Sequence, residues 1–172
     1  LDPGGRRVKT RTLIVFHSRT GHTRRVAQAL AEQLGADLDE IVPLQPHADD
    51  ALGYAQCALE AAAALTPALE PATKDPSRYG LVVVGTPIWF WSLSSPVRTW
   101  LVQQHAALAR ARLAFFCTMG GSGAPIAFAR MGVLAGHEPE AILALTQSQV
   151  EHRAIRAIDD FARTLQALPS PG

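Results

Sequence analysis

The chain has 172 residues, 48% of them hydrophobic and 18% charged, with a formal net charge of +1. That length suits one domain able to bury a full core, and the composition excludes a disordered chain. The near balance of charge lacks the basic excess of a nucleic-acid binder, so no nucleic-acid partner is expected.

The two cysteines, Cys57 and Cys117, are far apart and match no metal-binding spacing. Cys117 closes the apolar run LAFFC, which predicts a buried thiol, and no metal is expected. The longest apolar segments fall well short of the roughly 20 residues of a membrane helix. Residues 1–11 are polar and carry no apolar stretch, so they read as a flexible N-terminal tail rather than a signal peptide. Residues 169–172 read as a C-terminal tail, which leaves a single domain over 12–168. A cytoplasmic protein without a membrane partner is expected.

In chain order, LIVF (13–16) is the first strand expected, followed by a helix on which Val26, Leu30 and Leu34 repeat until Gly35 closes it. DLDEIV (37–42) mixes charge with Leu38, Ile41 and Val42, the pattern of an edge strand. An alanine-rich helix over 49–65 ends at Thr66-Pro67, and LVVV (81–84) is the third strand. The next helix, 95–108, opens with Ser95 as N-cap and Pro96 at its first position. LAFF (113–116), a helix over 124–136, AILAL (141–145) and a last helix over 148–168 complete the chain. The runs LIVF, LVVV and LAFF are too continuous for a sheet with one wet face and suit parallel strands covered on both sides. The expected fold class is therefore α/β, a doubly wound five-stranded parallel sheet with helices on both faces; right-handed crossovers allow two common orders, and the polar second strand at the edge favours 2-1-3-4-5. In such a sheet ligands bind beyond the carboxyl ends of the strands, where the winding reverses.

Three loops fall there. Ser18, Arg19, Thr20, Gly21, His22 and Thr23 join the first strand to its helix. Free helix N-terminal amides with three hydroxyls around one glycine favour an anion such as phosphate. The second glycine and the lysine of a nucleoside-triphosphate loop are absent, as is G-x-G-x-x-G. Thr86, Pro87, Ile88, Trp89, Phe90 and Trp91 follow the third strand, and at least one of the three aromatics is expected against a flat ligand. Thr118, Met119, Gly120, Gly121, Ser122 and Gly123 follow the fourth, where glycines let backbone amides approach a planar molecule.

Ser18 to Thr23 resembles the S-x-T-G-x-T phosphate loop of flavodoxins and flavodoxin-like NAD(P)H-dependent reductases. GTPIWFWSLSSPVRTWL and FFCTMGGSG resemble that family's two flavin-ring loops, so the similarity spans roughly 12–168. It implies non-covalent FMN, with the eighteen loop residues named above as its binding set. Because the flavin carries the redox chemistry, no catalytic acid or base is nominated. His17 and His22 are expected to have a hydrogen-bonding or purely structural role rather than to transfer protons, and His47, His105, His137 and His152 to lack matching partners.

Electron carriers of this family are characteristically acidic, unlike this near-neutral chain. Their flavin loop also usually holds a glycine whose peptide flips, whereas TPIWFWSLSSP has none. A flip to positive φ costs about 1–2 kcal/mol more without glycine. Both features favour two-electron transfer from NAD(P)H to a quinone or similar acceptor over one-electron carriage between protein partners; a homo-oligomer is left open by the sequence. A flavin-free interaction domain is a third reading, opposed by the intact hydroxyl set.

Overall fold

The computed structural model describes residues 11–152 and 154–168. Along the chain run β1 (Thr12–Phe16), α1 (His22–Leu34), β2 (Asp37–Glu40), α2 (Ala51–Ala62), a 3-10 turn (Pro76–Arg78), β3 (Leu81–Trp89) and β4 (Ser92–Leu93). Then come α3 (Ser95–Leu108), β5 (Arg112–Met119), α4 (Ala124–Ala135), β6 (Ala141–Thr146), α5 (Gln147–Glu151) and α6 (Ile155–Ala167). The long strands pair in parallel in the order β2-β1-β3-β5-β6. This is the expected doubly wound order. It departs from a five-stranded parallel sheet in one place: β4 pairs antiparallel with the end of β3.

The continuous apolar runs are explained by two-sided burial. Leu13 and Val15 face a core shared with Val97, Leu101 and Met131 of α3 and α4. Ile14 and Phe16 face the other way, toward Val26 and Leu30 of α1 and Phe161 of α6. These four apolar residues of β1 are buried, each worth about 1.5–3 kcal/mol of transfer free energy. Gly85 stands opposite Phe116 on β5, and a Cβ there would lie 2.1 Å from the Phe116 ring. Hydrogen is what fits. Cys117 is fully buried, as expected, and burial pushes its thiol up to about 12.

Several expected boundaries move. Arg11, placed in the tail, is tied down: its carbonyl accepts from Gly80 N–H (3.1 Å) and its guanidinium bonds Asp37 (3.2 Å). The rest of both expected tails lies outside the described residues. β2 ends at Glu40, two residues early, and Pro43 beyond it cannot donate to a ladder. β3 runs on to Trp89, five residues past its apolar core, because β4 folds back on it. α2 spans 51–62, capped by Asp50, whose carboxylate accepts from Gly53 N–H at 2.7 Å. The N-cap of α3 is Ser94, so Pro96 takes the second helical position and Ser95 instead donates to Glu60. The single last helix is two: a capping box between Thr146 and Gln149 starts the short α5, and α6 begins anew after it. No helix among the described residues is long and apolar enough to cross a membrane.

Candidate functional site

The carboxyl ends of β1, β3 and β5 bring the three loops together on a cleft of ≈ 340 Å³, within the range of small-molecule sites. Arg19, Thr20, Thr23, Pro87, Ile88, Trp89, Thr118 and Gly120 of the expected set line it. Tyr54 of α2 and Gln147, the first residue of α5, line it too and were missed. Tyr54 is an aromatic on an otherwise alanine-rich helix, a signal open to notice. Gln147 carries none, since its position follows from where β6 ends.

Gly21 serves as N-cap of α1 with φ 92°, a conformation only glycine adopts without strain. The Ser18 hydroxyl turns inward and accepts from Gly21 N–H (3.1 Å) and Arg24 N–H (3.2 Å), so it shapes the loop. Thr23 is buried and its hydroxyl pairs with that of Thr118 at 2.8 Å, linking the first loop to the third. Thr20 is exposed and shares a hydrogen bond with His22 (2.9 Å), whose other ring nitrogen meets Glu151 at 3.1 Å. Two of the three hydroxyls are thus engaged inside the protein, while the amides of His22 and Thr23, at the first helical positions, have no intrahelical acceptor. Arg19 lies across the loop: one guanidinium nitrogen donates to the carbonyls of Ala48 (2.8 Å) and Asp50 (3.0 Å), and its Nε is buried without a partner.

The second loop is a hairpin. Phe90 and Trp91 form its two-residue turn at φ 47° and 56°, so both centre residues are left-handed, the arrangement for which Asn-Gly is preferred. The three aromatics therefore separate. Trp89 is 4% exposed, edge-on to His17 at 5.5 Å, and faces the cleft; Phe90 and Trp91 stand at the exposed tip. Thr86, expected at the ligand, is fully buried, and its hydroxyl accepts from Ser94 N–H (3.0 Å) to brace the hairpin.

In the third loop, Trp91 donates its indole N–H to the Ser122 hydroxyl (2.9 Å). Gly123 (φ 112°) is pressed against the Trp91 backbone, where a Cβ would come within 2.8 Å. Met119 packs on the core rather than into the cleft. By contrast, no atom lies within 4 Å of where a side chain on Gly21, Gly120 or Gly121 would begin. Those stretches of backbone are open to a bound molecule.

His17 is buried with Nδ1 on the Ile41 carbonyl (2.9 Å), and burial pulls its pKa below 6.5. Its hydrogen bond to the Ile41 carbonyl is the kind of role expected of it. His47 departs from expectation, since it pairs with Glu60 at 2.7 Å. No cluster of metal ligands occurs among the described residues.

The family model described as flavodoxin matches residues 11–134, most of the chain and all three loops. The chain belongs to the flavodoxin family. A flavoprotein from Lactobacillus acidophilus NCFM, solved in complex with FMN, shares 23% identity at TM-score 0.69, covering 84% of this chain and 99% of that one. A candidate flavoprotein from Bacteroides eggerthii DSM 20697 shares 24% at TM-score 0.71, covering 89% and 98%. An NADH:FMN oxidoreductase in its apo form shares 19% at TM-score 0.54, covering 94% of each chain. No curated protein matches the sequence. At these identities the likeness is one of fold, a doubly wound sheet in which ligands bind beyond the carboxyl ends of the strands, where the three loops meet here.

Proposed function

We propose that this flavodoxin-family protein binds FMN non-covalently in the cleft and passes electrons through it from NAD(P)H to a quinone or similar acceptor. The observation that carries the flavin is the convergence of three loops on one cleft, with open glycine backbone on two of them and an unpaired Arg19 Nε. These residues fit the group. Thr20, Arg19 and the amides of His22 and Thr23 would hold the phosphate; Pro87 to Trp89 and Thr118 to Gly121 would hold the ring. FMN supplies the electron chemistry, and the chain binds it, orients it and keeps water from its buried side.

The reductase reading is supported by the net charge of +1, which offers no acidic field for docking on basic redox partners. A solved NADH:FMN oxidoreductase of the same fold accords with it. A second reading, an electron carrier between proteins, is favoured by the hairpin. Phe90 and Trp91 already hold positive φ, so the absence of glycine no longer weighs against a backbone carbonyl turning to the flavin.

The test begins with flavin binding. FMN should bind at least tenfold more tightly than riboflavin, because most of the gain comes from charge-assisted bonds to phosphate. Anaerobic photoreduction should then pass in one two-electron step, and NADH or NADPH should be oxidised when a quinone is supplied. Equal affinity for the two flavins overturns the site. Two resolved one-electron steps without nicotinamide turnover turn the assignment to the carrier.

A further inference from the structure

Residues 81–137 contain four arginines and neither aspartate nor glutamate. This stretch builds the hairpin, α3, β5 and α4. Arg112 finds a carboxylate outside it, in Glu140. Arg98 and Arg130 do not. Arg98, in the first turn of α3, is 8% exposed and donates to the Ser92 hydroxyl at 3.2 Å. Arg130, on the exposed face of α4, donates to the same hydroxyl at 2.8 Å. Among the described residues neither guanidinium has a carboxylate partner, and Arg98 Nε is buried with no partner at all. Burial and the neighbouring Arg130 charge both pull the Arg98 pKa down.

A buried cation beside a second cation is among the costliest arrangements in a folded chain unless a counter-charge completes it. Ser92 cannot serve. Its oxygen accepts from both guanidinium groups but carries no charge. The planar forks of two arginines match an oxyanion, which can accept from both at once.

We propose that Arg98 and Arg130, drawn together by Ser92 under the β3–β4 hairpin, form an oxyanion site for the phosphate or carboxylate group of a small molecule. Ser92 is the ladder partner of Trp89, which lines the cleft, so the site lies one rung of the hairpin away from it. An anionic tail held here would belong to a molecule reaching the hairpin from the α3–α4 side. The site itself does not depend on the flavin reading, because none of its three residues lines the cleft.

The experiment uses FMN-saturated protein, so that the first loop is filled, and follows melting temperature in inorganic phosphate, in succinate and in chloride at matched ionic strength. Phosphate or succinate should raise Tm by about 2–8 °C near saturation, and the more effective anion identifies the group preferred. Arg130→Ala, at an exposed position, should lose that rise. Arg130→Glu, which sets a carboxylate beside Arg98, should melt no lower than the wild type without added anion and should not respond to either one. No rise beyond chloride with either anion overturns the site, as does an equal rise in Arg130→Ala or an Arg130→Glu variant that melts below Arg130→Ala. A failure to bind FMN would leave the comparison of wild type with the Arg130 variants intact, since a phosphate ion held in the first loop would respond equally in both.

Discussion

His17, one residue beyond β1, is held neutral by burial, and that has a consequence for stability. Its folded pKa lies below 6.5, its ordinary value when unfolded, so the unfolded chain binds the extra proton first. Stability is therefore fully present above pH 6.5 and falls as pH drops below it, by at most about 1.4 kcal/mol per pH unit from this one group. His17→Asn should flatten the decline of Tm between pH 7 and 5, and an unchanged slope would remove His17 as its source. Trp89 supplies the second prediction at this scale. Because it alone of the three aromatics faces the cleft, Trp89→Ala should weaken FMN binding and reduce the quenching of flavin fluorescence. Phe90→Ala and Trp91→Ala should do neither by more than about twofold, a difference under roughly 0.5 kcal/mol. The sequence supports an aromatic at the flavin, but which one follows from the hairpin pairing, in which adjacent residues point to opposite sides.

The β3–β4 hairpin is the element that most changes the picture. Its turn places two bulky residues at positive φ, and each left-handed non-glycine residue costs about 1–2 kcal/mol. Trp91→Gly relieves one such cost and gives up an exposed hydrogen bond to Ser122 worth about 0.5–1 kcal/mol. The variant should therefore be more stable, with a higher urea midpoint at an unchanged m-value. A lower midpoint would mean that Trp91 packing on Gly123 outweighs the strain. The hairpin is hard to read from sequence because Phe-Trp lacks every turn signal, and the contacts that brace it join Thr86 to Ser94 at its base and bring Gly123 against its tip from farther along the chain. The last helix fails for a related reason. Its apolar spacing continues across the break, while the Thr146–Gln149 capping box that starts α5 begins just before the expected helix and runs into its first residues.

At the scale of the whole molecule, ligand and fold are coupled. The cleft exists only when β1, β3 and β5 are aligned, so FMN binds the folded chain and not the unfolded one. At a free concentration near 100 times Kd, FMN should stabilise the protein by about 2.7 kcal/mol, visible as a rise in Tm of several degrees. Riboflavin at the same concentration should give much less. Matching rises would mean that the phosphate contributes nothing, and the reading of the first loop would fall with it.

What the sequence by itself determined is the sheet and its ligand edge. Continuous apolar runs demand burial on both faces, helical runs between them demand right-handed crossovers, and the charged second strand, suited to an edge, selects between the two common orders these allow, which brings the three loops to one end. The S-x-T-G-x-T loop is equally local, since it needs only a strand, a glycine and a helix start. Tertiary structure alone decided how each side chain is used. Ser18 and Thr23 satisfy the loop and its neighbour rather than facing outward, Tyr54 and Gln147 arrive from other elements, and Arg98 meets Arg130 across two helices. The physical reason is range. Periodicity and capping act within a few residues, but the partner of a buried polar group is set by chain segments brought together only when the sheet closes over its two cores.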